Sequence, residues 1–369
     1  MPQQLTGRLV TSGGVTTGAI AFKETIETIH ARPAAGPYIL PGFIDTHVHG
    51  GGGGDAMDGP EGVARLAAFH LAHGTTTLCP TTITNPWEGI KSALRGIREV
   101  MEEADPNLPE VAGAHLEGPF ISPDRLGAQP PYALAPKPEL VSELLSEDVI
   151  TVVTLAPEVK GALEAAVQFA RSNVRISIGH SIASFEQARA LAGIVYEANG
   201  TVGFTHLYNA MSPLTSRAPG LVGAALADRR AFCELILDGF HVHAGSFLAA
   251  ANAKDGTLHL ITDAIRACGL GDVTTELGGQ TVTVTKGAAR LGDGTLAGSV
   301  LTLDRALANA LAAGFSLEQA SGMLSAVPAR YLGLPDRGAL AEGLRADIVV
   351  MDDDFAVLEV WRAGQKVTG

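Results

Sequence analysis

Across residues 41–334, short apolar runs rich in β-branched side chains alternate with longer Ala-rich stretches that read as helices, the signature of repeated strand–helix units. The candidate strands are 39–44, 75–79, 111–116, 150–155, 174–178, 201–205, 232–237 and 258–262. Eight such units predict a TIM-type (β/α)8 barrel of class α/β, whose reacting groups stand just beyond the C-terminal ends of the strands. The two ends of the chain read differently. Before residue 40, β-prone pieces at 18–22 and 25–29 are punctuated by Gly and Pro; after residue 334, two more at 346–351 and 357–361 are separated by acidic turns. Neither end has strands enough for a core of its own. The expectation is that 1–40 and 335–369 pair into one small β-sandwich domain beside a barrel of 41–334.

The residues that follow the strands are the chemically useful ones. The first run, Pro41-Gly42-Phe43-Ile44-Asp45-Thr46-His47-Val48-His49-Gly50, ends in two histidines one residue apart, and alternate side chains of an extended strand share a face. Gly51 to Gly54 then predict a backbone that bends sharply over the site or stays mobile. With no Lys-Ser/Thr after it and no GxGxxG spacing, this run is not a nucleotide cradle. The third strand ends in Glu117, the fifth in His180, the sixth in His206 and the eighth in Asp263, while the seventh precedes His241 and His243. His30, His70, His73 and His259 fall in edge, helix or mid-strand contexts and are expected to be structural.

Charge and composition narrow the partners. With 39 acidic against 26 basic residues, the net charge of −13 argues against a nucleic-acid or anionic-membrane surface, so an anionic substrate would need a local basic clamp. Hydrophobic residues make up 46% of the chain, alongside 44 glycines, which indicates a large folded core rather than a disordered chain. Cys79, Cys233 and Cys268 are far apart and form no CxxC pair, which favours reduced thiols. The first eight residues lack a basic segment followed by an apolar one, and no apolar run is long enough to span a bilayer. A cytoplasmic location is expected.

One carboxylate and up to four imidazoles at the barrel mouth form the donor set of a hydrolytic, zinc-like site. A cation there would lower the pKa of water toward neutrality and polarise a carbonyl. Asp263 would take the proton of the attacking water and return it to a leaving nitrogen.

Six further motifs sharpen this chemistry: Ala114-His115-Leu116-Glu117-Gly118-Pro119-Phe120, Ile178-Gly179-His180-Ser181, Thr205-His206-Leu207-Tyr208-Asn209-Ala210-Met211, Asp238-Gly239-Phe240-His241-Val242-His243, Ile261-Thr262-Asp263-Ala264 and Leu296-Ala297-Gly298-Ser299. In order and spacing they resemble the N-acetylglucosamine-6-phosphate deacetylase family of the amidohydrolase superfamily, and the segment 338–347 is similar to that superfamily's closing β segment. The resemblance implies that Glu117, His180 and His206 hold the principal metal and that Asp263 is the catalytic acid and base. It implies that His241 holds the substrate carbonyl oxygen, and that Leu296 also lies at the substrate. The backbone near Asn209 and Ala210 and the side chain of Arg217 would meet the sugar phosphate. In this family the clamp can borrow groups from a second subunit, so a homodimer is expected. Some members have lost the first-strand His-x-His. Here His47 and His49 are both present, which allows a second metal with Glu117 as a bridge. The implied cofactor is one or two divalent metals per subunit, zinc foremost, with iron, cobalt or manganese as the other choices. Twelve residues after Glu117, where some relatives place a substrate-contacting His, this chain has Gln129, which donates hydrogen bonds but carries no charge.

Blander readings stand beside these. Asp263 could cap a following helix, His180 and His206 could be satisfied core histidines, and Arg217 could be a solvated loop charge. His115 points the same way as Glu117 and is assigned to support. His243 is open between a site role and a loop hydrogen bond. The rival functions are a galacto-epimer deacetylase, a cyclic amidase, and a silent barrel that senses sugar phosphates.

Overall fold

The computed structural model describes Pro2 to Thr368. Eight short strands form the inside of the molecule: Phe43–Val48, Thr75–Pro80, Ala114–Glu117, Ile150–Leu155, Arg175–Ile178, Val202–Phe204, Cys233–Ile236 and Leu258–Ile261. They are buried along both faces, which is why they read as continuous apolar runs rather than as alternating ones. Parallel pairing joins the first strand to the second, the third through to the sixth in turn, and the seventh to the eighth. Backbone hydrogen bonds beyond these ladders make the remaining links, among them Thr82 N to His115 O, Phe204 N to Phe232 O and Asp263 N to His47 O, at 3.0, 3.0 and 2.9 Å. The last of these returns the eighth strand to the first. Helices follow most of these strands and lay their apolar stripe on them. In Phe185–Glu197 that stripe is Ala188, Leu191, Ala192 and Val195, and a capping box of Ser184 and Gln187 starts the helix.

Strands from both ends of the chain join in one sheet of seven. Its spatial order is Gln365–Thr368, Val357–Arg362, Ile348–Met351, Tyr38–Pro41, Gln3–Thr11, Gly14–Phe22 and Ile26–Ala31. Leu9, Ile20, Phe22, Ile39, Ile348, Val350 and Trp361 share its core. Burying each of the larger side chains stabilises the sheet by roughly 1.5–3 kcal/mol. Arg345, bonded to Glu110 and Asp347, ties the sheet to the inner strands.

Several boundaries differ from the sequence reading. The run 39–44 divides at Gly42: Tyr38–Pro41 belongs to the seven-stranded sheet and the inner strand starts at Phe43. A Cβ at Gly42 would meet Thr76 Oγ1 at 2.2 Å, and an apolar run buried in both sheets carries no sign of that crossing. The run 111–116 divides at Gly113, whose φ of +100° turns the chain between Glu110–Val111 and Ala114–Glu117. Gln3–Thr11 and Gln365–Thr368 are strands the sequence reading lacked. So are Thr274–Leu277, Gln280–Thr285 and Ala288–Leu291, an antiparallel sheet begun by a Gly278-Gly279 turn. The glycines after His49 form a packed hairpin rather than a loose loop. Gly50–Gly51 pairs with Gly54–Asp55, Gly52 N donates to Cys268 O, and Gly53 N donates to Arg266 O.

Candidate metal centre

His47 and His49 leave the first strand with their Nε2 atoms 3.3 Å apart. Asp263, just after the eighth strand, puts Oδ1 3.5 Å from His47 Nε2 and 3.2 Å from His49 Nε2. On the other side Glu117 Oε1 stands 3.1 Å from His180 Nε2 and 3.0 Å from His206 Nε2, and its Oε2 lies 3.3 Å from His49 Nε2. His47, His49 and Asp263 thus make one donor group and Glu117, His180 and His206 a second, each with its ligand atoms within 4.8 Å of one another. Glu117 faces both. All six residues that the sequence marked as ligands or acid/base meet here, and all are buried.

The backbone is strained where it delivers these side chains. His180, His206 and Asp263 have φ of +46°, +32° and +48°, a left-handed region uncommon for non-glycine residues.

Hydrogen bonds behind the rings set which nitrogen faces inward. His49 Nδ1 lies 3.1 Å from Thr81 O, His180 Nδ1 3.0 Å from Arg125 O, and His47 Nδ1 3.0 Å from Glu234 Oε2. Each acceptor places the ring proton on Nδ1 and leaves Nε2 as a lone pair aimed at the centre. The Nε2 atoms of His180 and His206 are only 3.0 Å apart. Nε2 atoms crowded against each other and against carboxylates fit a divalent cation taking the place of their protons, and this donor set of imidazole and carboxylate suits zinc-type chemistry.

Burial opposes charge on Glu117, Asp263, His47, His49 and His180, and neighbours of opposite sign prevail. Glu117 is held well below the usual carboxylate range by His47 and His180, and Asp263 is held low by His47 and His49. Despite burial, His49 is pushed up to about 9 by Asp263 and Glu117, and His47 and His180 are also raised.

A cavity of about 350 Å³ opens over the centre, and Asn209, Ala210, His241, Leu296 and Gln129 line it. Asp238 Oδ2 sits 2.7 Å from His241 Nδ1, which turns the Nε2 edge of His241 toward the cavity. Gln129 has both ends of its amide engaged, Nε2 by Glu117 Oε2 and Oε1 by Thr84 N. Arg217 is exposed on the 212–219 loop and does not line this chain's cavity; Arg125 does. His243 caps the helix Ala244–Ala253, accepting from Gly245 N at 3.0 Å. His115 supports from beneath, bonded to Thr46 O and Thr154 Oγ1, and burial pushes its pKa down to about 4.

Glu234 and Asp238 were missed by sequence reasoning. A Glu inside the apolar run Phe232-Cys233-Glu234-Leu235-Ile236-Leu237 was the available signal, since a buried carboxylate needs partners. Asp238, three residues before His241, carried a weaker one.

The amidohydrolase family model matches residues 38–367, and the chain belongs to the amidohydrolase family. Among its relatives, the N-acetylgalactosamine-6-phosphate deacetylase of Escherichia coli O157:H7 is 38% identical over 95% of this chain and 93% of its own length. The N-acetylglucosamine-6-phosphate deacetylase of Bacillus subtilis (strain 168) is 39% identical over 95% of this chain and 89% of its own. The crystal structure of the N-acetylglucosamine-6-phosphate deacetylase of Thermotoga maritima superposes with a TM-score of 0.92 at 33% identity, over 99% of both chains.

Proposed function

We propose that this chain hydrolyses the acetamide of N-acetyl-D-glucosamine 6-phosphate, giving acetate and D-glucosamine 6-phosphate. One observation carries the reading: Asp263, with a depressed pKa, stands beside a buried His/Glu donor set at the floor of a cavity that His241 and Asn209 line. Glu117, His180 and His206 would hold one divalent cation, and His47, His49 and Asp263 a second, with Glu117 between them and zinc the best match to these donors. The chemistry such a cation supplies when bound is polarisation of the amide carbonyl and a lowered water pKa.

The chain's own groups do the rest. Asp263, ionised near neutrality, accepts the proton of the attacking water and gives it to the amide nitrogen as the C–N bond breaks. His241, backed by Asp238, donates from Nε2 to the carbonyl oxygen. The backbone at Asn209 and Ala210 meets the phosphate.

Arg217 is exposed and does not line its own cavity, and Leu214 on the same loop and Ile182 are exposed apolar side chains, at 54% and 45% of full exposure. Such a face suits a second copy of the chain, and we infer a homodimer in which each cavity receives Arg217 of the partner subunit. The circle of parallel strands and their helices supports a TIM-type (β/α)8 barrel spanning 41–334. The seven-stranded sheet, one sheet rather than the two packed sheets of a sandwich, supports a small β-domain of 1–40 and 335–369. Among the described residues no helix is long and apolar enough to cross a membrane, and the three cysteines are free and buried, which suits a cytoplasmic enzyme.

The galacto epimer is the second reading, since a deacetylase named for it is as similar to this chain as those named for the gluco epimer. Comparing kcat/KM for the two 6-phosphates and for unphosphorylated N-acetylglucosamine tests the assignment. A preference for the gluco 6-phosphate supports it, a preference for the galacto 6-phosphate replaces it, and equal rates on the unphosphorylated sugar refute a phosphate clamp.

A further inference from the structure

Behind the donor set lies a carboxylate that the proposed reaction does not use and that faces the ring of a candidate ligand. Glu234, in the middle of the strand Cys233–Ile236, is 1% exposed. Its Oε2 lies 3.0 Å from His47 Nδ1 and 3.4 Å from the backbone N of His206, and its Oε1 accepts from Thr46 Oγ1 at 3.2 Å. The corresponding acceptors behind His49 and His180 are main-chain carbonyls, of Thr81 and Arg125, which any side chain at those positions would leave in place. Of the four ligand histidines, His206 has no partner at Nδ1 and His47 alone has a side-chain acceptor behind its ring, an anion placed where burial alone would forbid one.

We propose that Glu234 is the positioning residue for the first-strand metal position: it fixes the proton of His47 on Nδ1 and presents Nε2, as a lone pair, to the cation shared with His49 and Asp263. The proposal rests on the two-cation reading above. Glu234 is not itself a ligand of a third cation with His47 and His115, because both ring nitrogens of His115 are already engaged, by Thr46 O at 3.1 Å and Thr154 Oγ1 at 2.8 Å. A glutamine at 234 can turn its NH2 toward Nδ1, which shifts the ring proton to Nε2 and blocks ligation there.

The test is a Co²⁺ titration of the metal-free full chain, following bound metal per chain and the visible cobalt spectrum, for wild type, Glu234→Gln and Glu234→Asp. Wild type is expected to take two equivalents. Glu234→Gln should take the first with unchanged affinity and the second about 10- to 100-fold more weakly. Glu234→Asp keeps the anion and should recover part of that loss; it also serves if the glutamine variant does not fold. Equal weakening of both equivalents would mark a merely structural role, and two unchanged equivalents in the glutamine variant would likewise overturn the proposal. A single equivalent in wild type would overturn the two-cation reading and this inference with it.

Discussion

Gln129 Nε2 donates to Glu117 Oε2, so a side chain that lines the cavity is also bonded to the carboxylate that faces both donor groups. Its Oε1 accepts from Thr84 N at 2.7 Å, which anchors it from behind. Gln129→Ala would leave an ionised oxygen and a buried N–H without partners, a loss of about 1.5–3 kcal/mol for a bond to a charged group. We expect zinc affinity to fall roughly 10- to 100-fold, as measured by chelator competition. A variant that keeps wild-type zinc affinity but shows a raised KM would return Gln129 to the substrate.

The imidazoles bind protons and a cation in competition, and the two effects on stability have opposite signs. His49 has its pKa raised from 6.5 to about 9, so what its charged contacts with Asp263 and Glu117 contribute is complete below 6.5 and lost as pH rises through about 9. The melting temperature of the metal-free protein should therefore fall across that window, and His49→Asn should flatten the slope. Added zinc must displace the proton, so the stabilisation that zinc gives should grow over the same range. A metal-free protein whose melting temperature climbs between these pH values would contradict the ring assignment.

Gly50 follows His49 directly, and a Cβ on it would lie 2.5 Å from Arg266 N and 2.5 Å from Gly54 O. Backbone on both sides cannot yield cheaply. Gly50→Ala is expected to destabilise by about 1–3 kcal/mol, the range for overpacking, and to weaken zinc binding through displacement of His49. Thermal unfolding with and without zinc checks both; an unchanged melting temperature would mean that the hairpin is looser than its contacts indicate.

The shared-clamp reading makes a distinctive forecast for mixtures. Arg217→Ala lacks the clamp in every cavity and Asp263→Asn lacks the base in every one, so each homodimer should be inactive. A mixed dimer has one cavity with both groups, and random mixing should restore about a quarter of wild-type activity. No recovery on mixing, with exchange of subunits verified by mass, would rule out the contribution of Arg217 of the partner subunit.

The inner strands were legible because their apolar runs are short and end in the residues that do chemistry. His47, Glu117, His180, His206 and Asp263 all stand where a strand-end rule puts them. The crossing at Gly42 was not legible, since Ile39 and Leu40 on one side and Phe43 and Ile44 on the other are equally buried in different sheets. The hairpin of 274–291 could have been found from its alternating Thr and Val after Gly278-Gly279. Glu234 shows the harder limit: its place in the sequence marks it as unusual, but only the fold brings it to His47, 187 positions earlier in the chain.

The central claim is that a cation held by Glu117, His180 and His206 and a base at Asp263 together open the acetamide. Acetate release from N-acetylglucosamine 6-phosphate, measured on the purified protein before metal removal, after it and after zinc is returned, tests this most directly, with Asp263→Asn in parallel. The expected result is release that disappears with the metal, returns with zinc, and in Asp263→Asn stays about 10²- to 10⁴-fold lower, the range for losing a general acid or base, while the zinc at Glu117, His180 and His206 remains bound. Release that survives complete metal removal, or that Asp263→Asn leaves intact, would contradict it.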